Sequence, residues 1–396
     1  MRDWLPEDMK RFRFIEDTFR KHCRSWGYQE VRTPTVEHLH FFTATGTLSP
    51  SMLGKVYSFL DWDGWSGERV VLRPDGTIPV ARLYIDNLAP KKSAKLCYVT
   101  NVFSFEETAR DRERWQCGVE LLGTPEPAGD AETISLAWGI LQELGLKNVE
   151  IRLSHAGAVR ALVEALKLPD EQEALWDELL AGDWRGLRKA SNSPAIKQVL
   201  SLLEVTGSSS GFLDNIRAIA GDLPAFVSQI DGFKQVTGLL DSFSYPYQID
   251  LKSLRGFEYY TGTCYRLSVN GRAVAGGGRY NNLLPLLGSE PLPACGFALY
   301  ADALTAVMPA VERETRQRVL IKGDAGIADD IKLAVSLSGS LHNLGYIAEV
   351  DFLEKEPSGH DWLVTVSAGK LRVTNLATGK DRVEASLGEA VDAIVK

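Results

Sequence analysis

Three short segments carry polar groups at spacings suited to holding a small charged molecule. In Leu72–Thr77 a carboxylate, Asp75, and a hydroxyl, Thr77, lie two residues apart. On an extended chain such a pair faces one side and can share hydrogen bonds with an ammonium group; a turn capped by Asp75 is the competing reading. In Trp115–Glu120, a strand would put Gln116, Gly118 and Glu120 on one face. Two polar groups flanking a glycine make a floor with room above it, although a solvated outer face would use the same letters. In Arg255–Gly262, the Arg255 guanidinium can fork onto a carboxylate, and Tyr259 and Tyr260 offer hydroxyls to a small polar ring. Gly276-Gly277-Gly278-Arg279-Tyr280 follows; a structural hairpin with a surface arginine is the alternative there.

Other chemistries find no foothold. The six histidines do not pair with cysteines or carboxylates at metal-ligand spacing, and His38 and His40, which share a strand face, have no third ligand. No metal and no cofactor are expected. There is no Walker-type glycine loop, no G-x-S-x-G elbow and no nicotinamide fingerprint.

The elements that must position these segments are legible from periodicity. Residues 6–26 read as an amphipathic helix: Pro6 suits its first turn, Glu7 and Asp8 favour its positive end, and Met9, Phe12, Ile15, Phe19 and Cys23 form an apolar stripe. Gly27 is its C-cap. Strands are expected at Tyr28–Arg32, Val56–Leu60, Arg69–Leu72, Lys95–Phe103 and Gly118–Leu122, with no helix between each pair, which favours an antiparallel sheet. A helix at 130–144 and a strand at Val149–Ser154 follow. Residues 157–240 are helix-periodic and read as an insertion. Strands return at Tyr247–Leu251, Thr263–Val269 and Ala273–Ala275, then a helix near 280–287. Polar residues 312–317 read as a linker. The segment 318–396 alternates strand, helix, strand, strand, hairpin and helix, a small α/β domain. The expectation is therefore α+β: a core domain over 1–311 with a mixed, mainly antiparallel sheet and flanking helices, plus a C-terminal domain over 318–396.

The bulk properties fit a soluble protein. The 396 residues are 44% hydrophobic and 24% charged, with a net charge of −8, which gives no help in gripping a phosphate backbone. The odd count of five cysteines rules out a full disulfide framework and suits a reducing compartment. The first residues lack the apolar core of a signal peptide, and no apolar run reaches the roughly 18 residues a bilayer needs. A cytoplasmic location is expected.

Taken together and in this order, the segments resemble the catalytic core of class II histidyl-tRNA synthetases. Gly27–Pro34 is similar to motif 1 of that family, Leu72–Thr77 to its Leu-Arg-Pro-Glu-Gly-Thr block, Arg112–Gly123 to the motif 2 strand, and Arg255–Tyr260 to its Arg-Gly-Leu-Asp-Tyr-Tyr block. The similarity spans roughly residues 5–305. It implies a class II-type fold and homodimer, and a histidine pocket. Asp75 and Thr77 would hold the α-ammonium, Gln116 would bridge the amino-acid backbone, Glu120 and Tyr260 would read the imidazole, Tyr259 would line the pocket and Arg255 would face the carboxylate.

Two departures separate the chain from an active synthetase. The family's motif 2 arginine, which grips the α-phosphate of ATP, falls on Ser104, and its motif 3 arginine falls on Ala303. Adenylate formation brings a carboxylate against a triphosphate, and removing one preorganised donor from such a site costs roughly 10²–10³ in rate. Another arginine or lysine reaching into the vacated phosphate position would overturn this reading. Arg255 and Glu106, matched to a glutamate that touches adenine, are kept. Residues 316–396 hold ten Lys and Arg against twelve Asp and Glu, unlike a tRNA-binding module. These features together resemble the regulatory subunits of ATP phosphoribosyltransferase. That resemblance implies a non-catalytic chain that senses histidine and activates a short catalytic subunit. It also implies a hetero-octamer with four chains of each kind, and no tRNA or membrane partner. An active histidyl-tRNA synthetase, or a synthetase-like paralogue serving another partner, stays open at this point.

Overall fold

The computed structural model describes residues 3–45, 53–62, 67–105, 112–166, 185–186, 194–221, 223–253, 260–310, 316–353 and 355–395. The chain divides into two compact units, Met1–Val311 and Glu312–Lys396.

The first unit opens with α1 (Pro6–Ser25), whose buried stripe contains Phe12, Ile15, Phe19 and Cys23. Gly27, at φ +81°, closes it: such a backbone costs a glycine little, and it lets Tyr28 N–H return to the Cys23 carbonyl at 2.9 Å. The elements that follow are β1 (Gln29–Glu30), β2 (Val36–His38), α2 (Leu39–Ala44), β3 (Ser58–Trp62), β4 (Gly67–Leu72), α3 (Thr77–Asn87), β5 (Ala94–Phe103), β6 (Glu113–Leu122), α4 (Ala128–Glu143), β7 (Val149–His155) and α5 (Ala156–Glu164). Then come α6 (Pro194–Glu204), β8 (Thr206–Gly207), α7 (Ser210–Ile219), α8 (Pro224–Ser242), β9 (Tyr247–Asp250), β10 (Thr263–Val269), β11 (Arg272–Arg279), α9 (Leu283–Leu286), β12 (Ala294–Tyr300) and α10 (Ala301–Val307).

A nine-stranded sheet in the order β1-β5-β6-β12-β11-β10-β7-β9-β8 dominates this unit. Only β1–β5 and β7–β9 pair in parallel; every other pairing is antiparallel. The sheet is thus mixed and mainly antiparallel, with flanking helices. A separate three-stranded sheet, β2-β4-β3, is antiparallel throughout. One core joins α1, α4, α5 and α8 to the sheet through Phe19, Ile134, Ile140, Leu162, Phe233 and Leu267.

Several expectations shift. The strand expected at Tyr28–Arg32 is only Gln29–Glu30: Tyr28 N–H is committed to the Cys23 carbonyl, and past Val31, whose N–H bonds the Cys97 carbonyl, the chain turns to give the Thr33 and Pro34 carbonyls to Arg73. The strand expected from Gly118 starts at Glu113 and so includes Gln116. Most of the linker 312–317 and much of the 157–240 segment lie outside the described residues. Among the described residues no helix is long and apolar enough to cross a membrane.

The second unit holds β13 (Arg318–Lys322), α11 (Ala328–Asn343), β14 (Ile347–Asp351), β15 (Trp362–Ser367), β16 (Lys370–Asn375), β17 (Asp381–Glu384) and α12 (Leu387–Val395). Its five-stranded sheet runs β14-β13-β15-β16-β17. Ala368 and Gly369, both at positive φ, form the tight turn between β15 and β16.

Candidate functional site

Antiparallel register assembles the floor of a cavity. Across the sheet, Gly276, Ala298, Gly118 and Tyr98 lie in one row, and Gly278, Gly296, Glu120 and Leu96 in the next. The small residues keep the centre open. A Cβ on Gly118 would stand 2.3 Å from Tyr98 Cζ, and one on Gly76 would stand 2.5 Å from Tyr98 Cε2. The Tyr98 ring therefore lies between two backbones that only glycine allows this close. A Cβ on Gly296 would meet Glu120 Oε2 at 2.3 Å.

Glu120 is 2% exposed and is the hub of the site. Its Oε1 accepts from the Tyr98 hydroxyl at 3.2 Å and its Oε2 from the Tyr280 hydroxyl. Burial pushes its carboxyl up to about 8, and the charge of Asp75 pushes the same way, against hydrogen bonding from Tyr280, Thr77 and Tyr98. Burial also pushes up the carboxyl of Asp75, opposed by backbone N–H groups of Ile78, Thr77 and Gly76.

The Asp75–Thr77 pair is not on a strand, and this corrects the extended-chain expectation. Asp75 Oδ1 accepts from Thr77 N–H at 2.8 Å and Ile78 N–H at 3.0 Å, in the first turn of α3. The turn-cap reading and the cavity reading thus hold together, because Asp75 also lines the cavity. The loop before it is pinned by Arg73, buried at 4% exposure. Its guanidinium donates to the Asn101 carbonyl (2.7 Å), the Asn101 side chain (2.7 Å) and the carbonyls of Thr33 and Pro34 (2.9 Å each).

The cavity encloses about 370 Å³ of empty space, its open mouth included, with Asp75, Thr77, Gln116, Tyr260, Tyr280 and Tyr300 on its wall. Gln116 Oε1 is buried there with no hydrogen-bond partner among the described residues. A buried acceptor left unpaired costs about 1–3 kcal/mol, so it favours a guest that brings a donor. Asp75 and Glu120 both have carboxyls raised by burial; a cationic guest beside them would favour their charged forms.

Of the residues singled out from sequence, Asp75, Thr77, Gln116 and Tyr260 line this cavity, and Glu120 stands beside Gly296 at its floor. Arg255 and Tyr259, like Glu106, lie outside the described residues. Tyr98, Tyr280 and Tyr300 were not among the candidates. Tyr280 ends the glycine-rich block Gly276–Tyr280. Its place is fixed by its neighbour Arg279, which is 1% exposed and ion-paired to the equally buried Asp130 at 2.5 Å.

Ser104 follows β5, and Ala303 sits in α10 against the main core. Neither carries charge. The neighbourhood of Ser104 is not free of cations, however: Arg114, on the same face of β6 as Gln116, brings Nη2 to 3.5 Å from Ser104 Oγ. The side chain is exposed and has one long contact there.

The profile of the histidyl-tRNA synthetase family matches residues 1–304. An ATP phosphoribosyltransferase regulatory subunit of Dehalococcoides mccartyi is 46% identical over 373 residues, 92% of this chain and 90% of that protein. A histidine–tRNA ligase of Methanosarcina acetivorans is 30% identical, covering 99% of this chain and 97% of that protein. A crystal structure described as an ATP phosphoribosyltransferase regulatory subunit/histidyl-tRNA synthetase from Bacillus halodurans superposes with a TM-score of 0.77 at 23% identity, covering 92% of this chain and 96% of that one. The fold is thus that of the class II histidyl-tRNA synthetases, and the chain belongs to the histidyl-tRNA synthetase-like family of ATP phosphoribosyltransferase regulatory subunits.

Proposed function

We propose that this chain acts as a non-catalytic subunit that binds free histidine and regulates a short ATP phosphoribosyltransferase catalytic chain. The observation that carries the ligand is the Glu120 hub. A buried carboxyl raised to about 8 and held by two tyrosine hydroxyls can share one proton with an imidazole, donating to a neutral ring nitrogen or, when ionised, accepting from an imidazolium. Histidine offers an ammonium for Asp75 and Thr77, a donor for Gln116 and an imidazole for Glu120 and Tyr260. Arg255 and Tyr259 complete the set in this reading, at the carboxylate and the ring.

Aminoacylation is absent in this reading. Ser104 and Ala303 supply no charge where an adenylate-forming site needs two held arginines. Arg114 is the observation that favours an active synthetase. Its side chain is exposed and loosely tied, so it would have to be ordered at the moment of reaction, whereas effective electrostatic catalysis comes from groups already in place. Histidine-dependent exchange of pyrophosphate into ATP by the isolated chain tests this: no exchange is expected, and exchange would restore the synthetase reading.

The relatives' name supports a catalytic-subunit partner; the assembly we propose goes further than that name. The chain pairs with the catalytic subunit in a hetero-octamer of four chains of each kind, built around a class II-type homodimer, in the cytoplasm and without tRNA. Co-expression followed by size exclusion tests it. Two separate peaks would favour a paralogue serving another partner.

A further inference from the structure

A second cavity adjoins the first and has a different character. Arg152, Ser154, Ser253, Arg266 and Tyr300 are on its wall, and it shares Tyr260, Gly276 and Tyr300 with the amino-acid cavity. It encloses about 410 Å³ of empty space, open solvent included.

Arg152 on β7 and Arg266 on β10 are direct cross-strand partners, and Arg266 is in turn opposite Gly276 on β11. Like charges placed directly opposite on neighbouring strands are destabilising. Neither guanidinium has an ion-pair or hydrogen-bond partner among the described residues, although the chain carries 52 Asp and Glu against 44 Lys and Arg. The nearby hydroxyls are already committed: Ser154 donates to the Leu251 carbonyl at 3.2 Å and Ser253 to the Asp250 carbonyl at 2.8 Å. The unspent donors facing this cavity are therefore guanidinium N–H groups.

We propose that this cavity is a subsite for a phosphate-bearing small molecule, with one phosphoryl group bridging Arg152 and Arg266. Strands are about 4.8 Å apart, so two guanidinium forks on neighbouring strands can converge on a single tetrahedral anion. A dianion cancels both charges, whereas a lone carboxylate leaves one uncompensated. Arginine forks match phosphate oxygens two at a time. The subsite does not replace the synthetase grip at Ser104. Ser104 follows β5, four strand positions from β10 in the sheet order, or roughly 19 Å at the usual spacing. Because Tyr260, Gly276 and Tyr300 are shared walls, a phosphoryl group here would sit beside the amino-acid guest.

Calorimetric titration of the full chain with inorganic phosphate, inorganic pyrophosphate and ATP, at matched ionic strength and with acetate as a monoanion control, tests the proposal. Saturable binding of at least one phosphate probe is expected, with Arg152→Gln and Arg266→Gln each weakening it about tenfold or more, the scale of a charge-assisted hydrogen bond. Binding of pyrophosphate or phosphate alone points to a free phosphate ligand, and binding of ATP alone to a nucleotide. Arg152 is exposed, so its variant tests the site even if the Arg266 variant folds poorly. In phosphate-free buffer the Arg152 variant should melt no lower than the wild type, because a repulsion is removed. No saturable heat with any probe, equal binding of acetate, or unchanged affinity in Arg152→Gln would overturn the subsite. Histidine titrated separately reads the neighbouring cavity, so failure of one does not imply failure of the other.

Discussion

The hydroxyl of Tyr280 donates to the carboxylate of Glu120, 160 residues earlier in the chain. The contact joins the end of β11 to the middle of β6 across β12, and glycine at 296 makes room for it. Two tyrosine hydroxyls, those of Tyr98 and Tyr280, thus satisfy a carboxyl that burial pushes up to about 8.

Replacing this hub should cost ligand affinity. Glu120→Ala is expected to weaken histidine binding by about 1–3 kcal/mol, because it leaves the ring nitrogen and two tyrosine hydroxyls short of an acceptor. Titration calorimetry reads this directly; unchanged affinity would remove Glu120 from the site. Ser104→Ala, in contrast, should leave histidine affinity nearly unchanged.

Stability should carry the signature of the same group. Glu120 shifts from an ordinary value of 4.5 to about 8 in the fold. Between those values the folded state holds a proton that the unfolded state has released, so stability falls as pH rises from 4.5 to 8. His155 works at the acid side: burial and the charge of Arg279 lower it from 6.5 to about 3, so stability falls as pH drops through that range. Between pH 4.5 and 6.5 the two groups oppose each other and nearly cancel, so the net losses lie above pH 6.5 and below about 4.5; Glu120→Gln should remove the loss above pH 6.5 and extend the acid limb up to pH 6.5. Urea unfolding at a series of pH values checks both, and an unaltered upper limb in the variant would contradict the assignment.

Packing around Tyr98 gives a third prediction. In Gly118→Ala the new methyl would fall 2.3 Å from the buried Tyr98 ring, which is also closed off by Gly76. The ring must move, taking its hydroxyl from Glu120. A loss of about 1–3 kcal/mol in stability is expected from such overpacking, together with weaker histidine binding. A variant with wild-type melting temperature and affinity would show that the ring has freedom to yield.

Much of this was legible in the residues, and the exceptions have physical causes. Gln116, Gly118 and Glu120 could be placed on one face because a strand's period of two leaves no choice. The strand face reads from sequence, but the register does not. That Tyr98 lies opposite Gly118, and Gly296 opposite Glu120, is set by pairing between distant strands. Asp75 and Thr77 lie at a helix start and not on an extended chain, and there one aspartate oxygen accepts from the backbone N–H groups of Thr77 and Ile78. Arg114 shares the face of Gln116 by strand alternation, but its approach to Ser104 depends on the β5–β6 register, which the residues alone do not reveal.

The most direct test measures the turnover of the short catalytic subunit with and without this chain, across a histidine titration. The account predicts that adding the chain raises turnover and that histidine then suppresses it in a saturable way, as coupling between two sites requires. Turnover indifferent to the chain at every histidine concentration would contradict it.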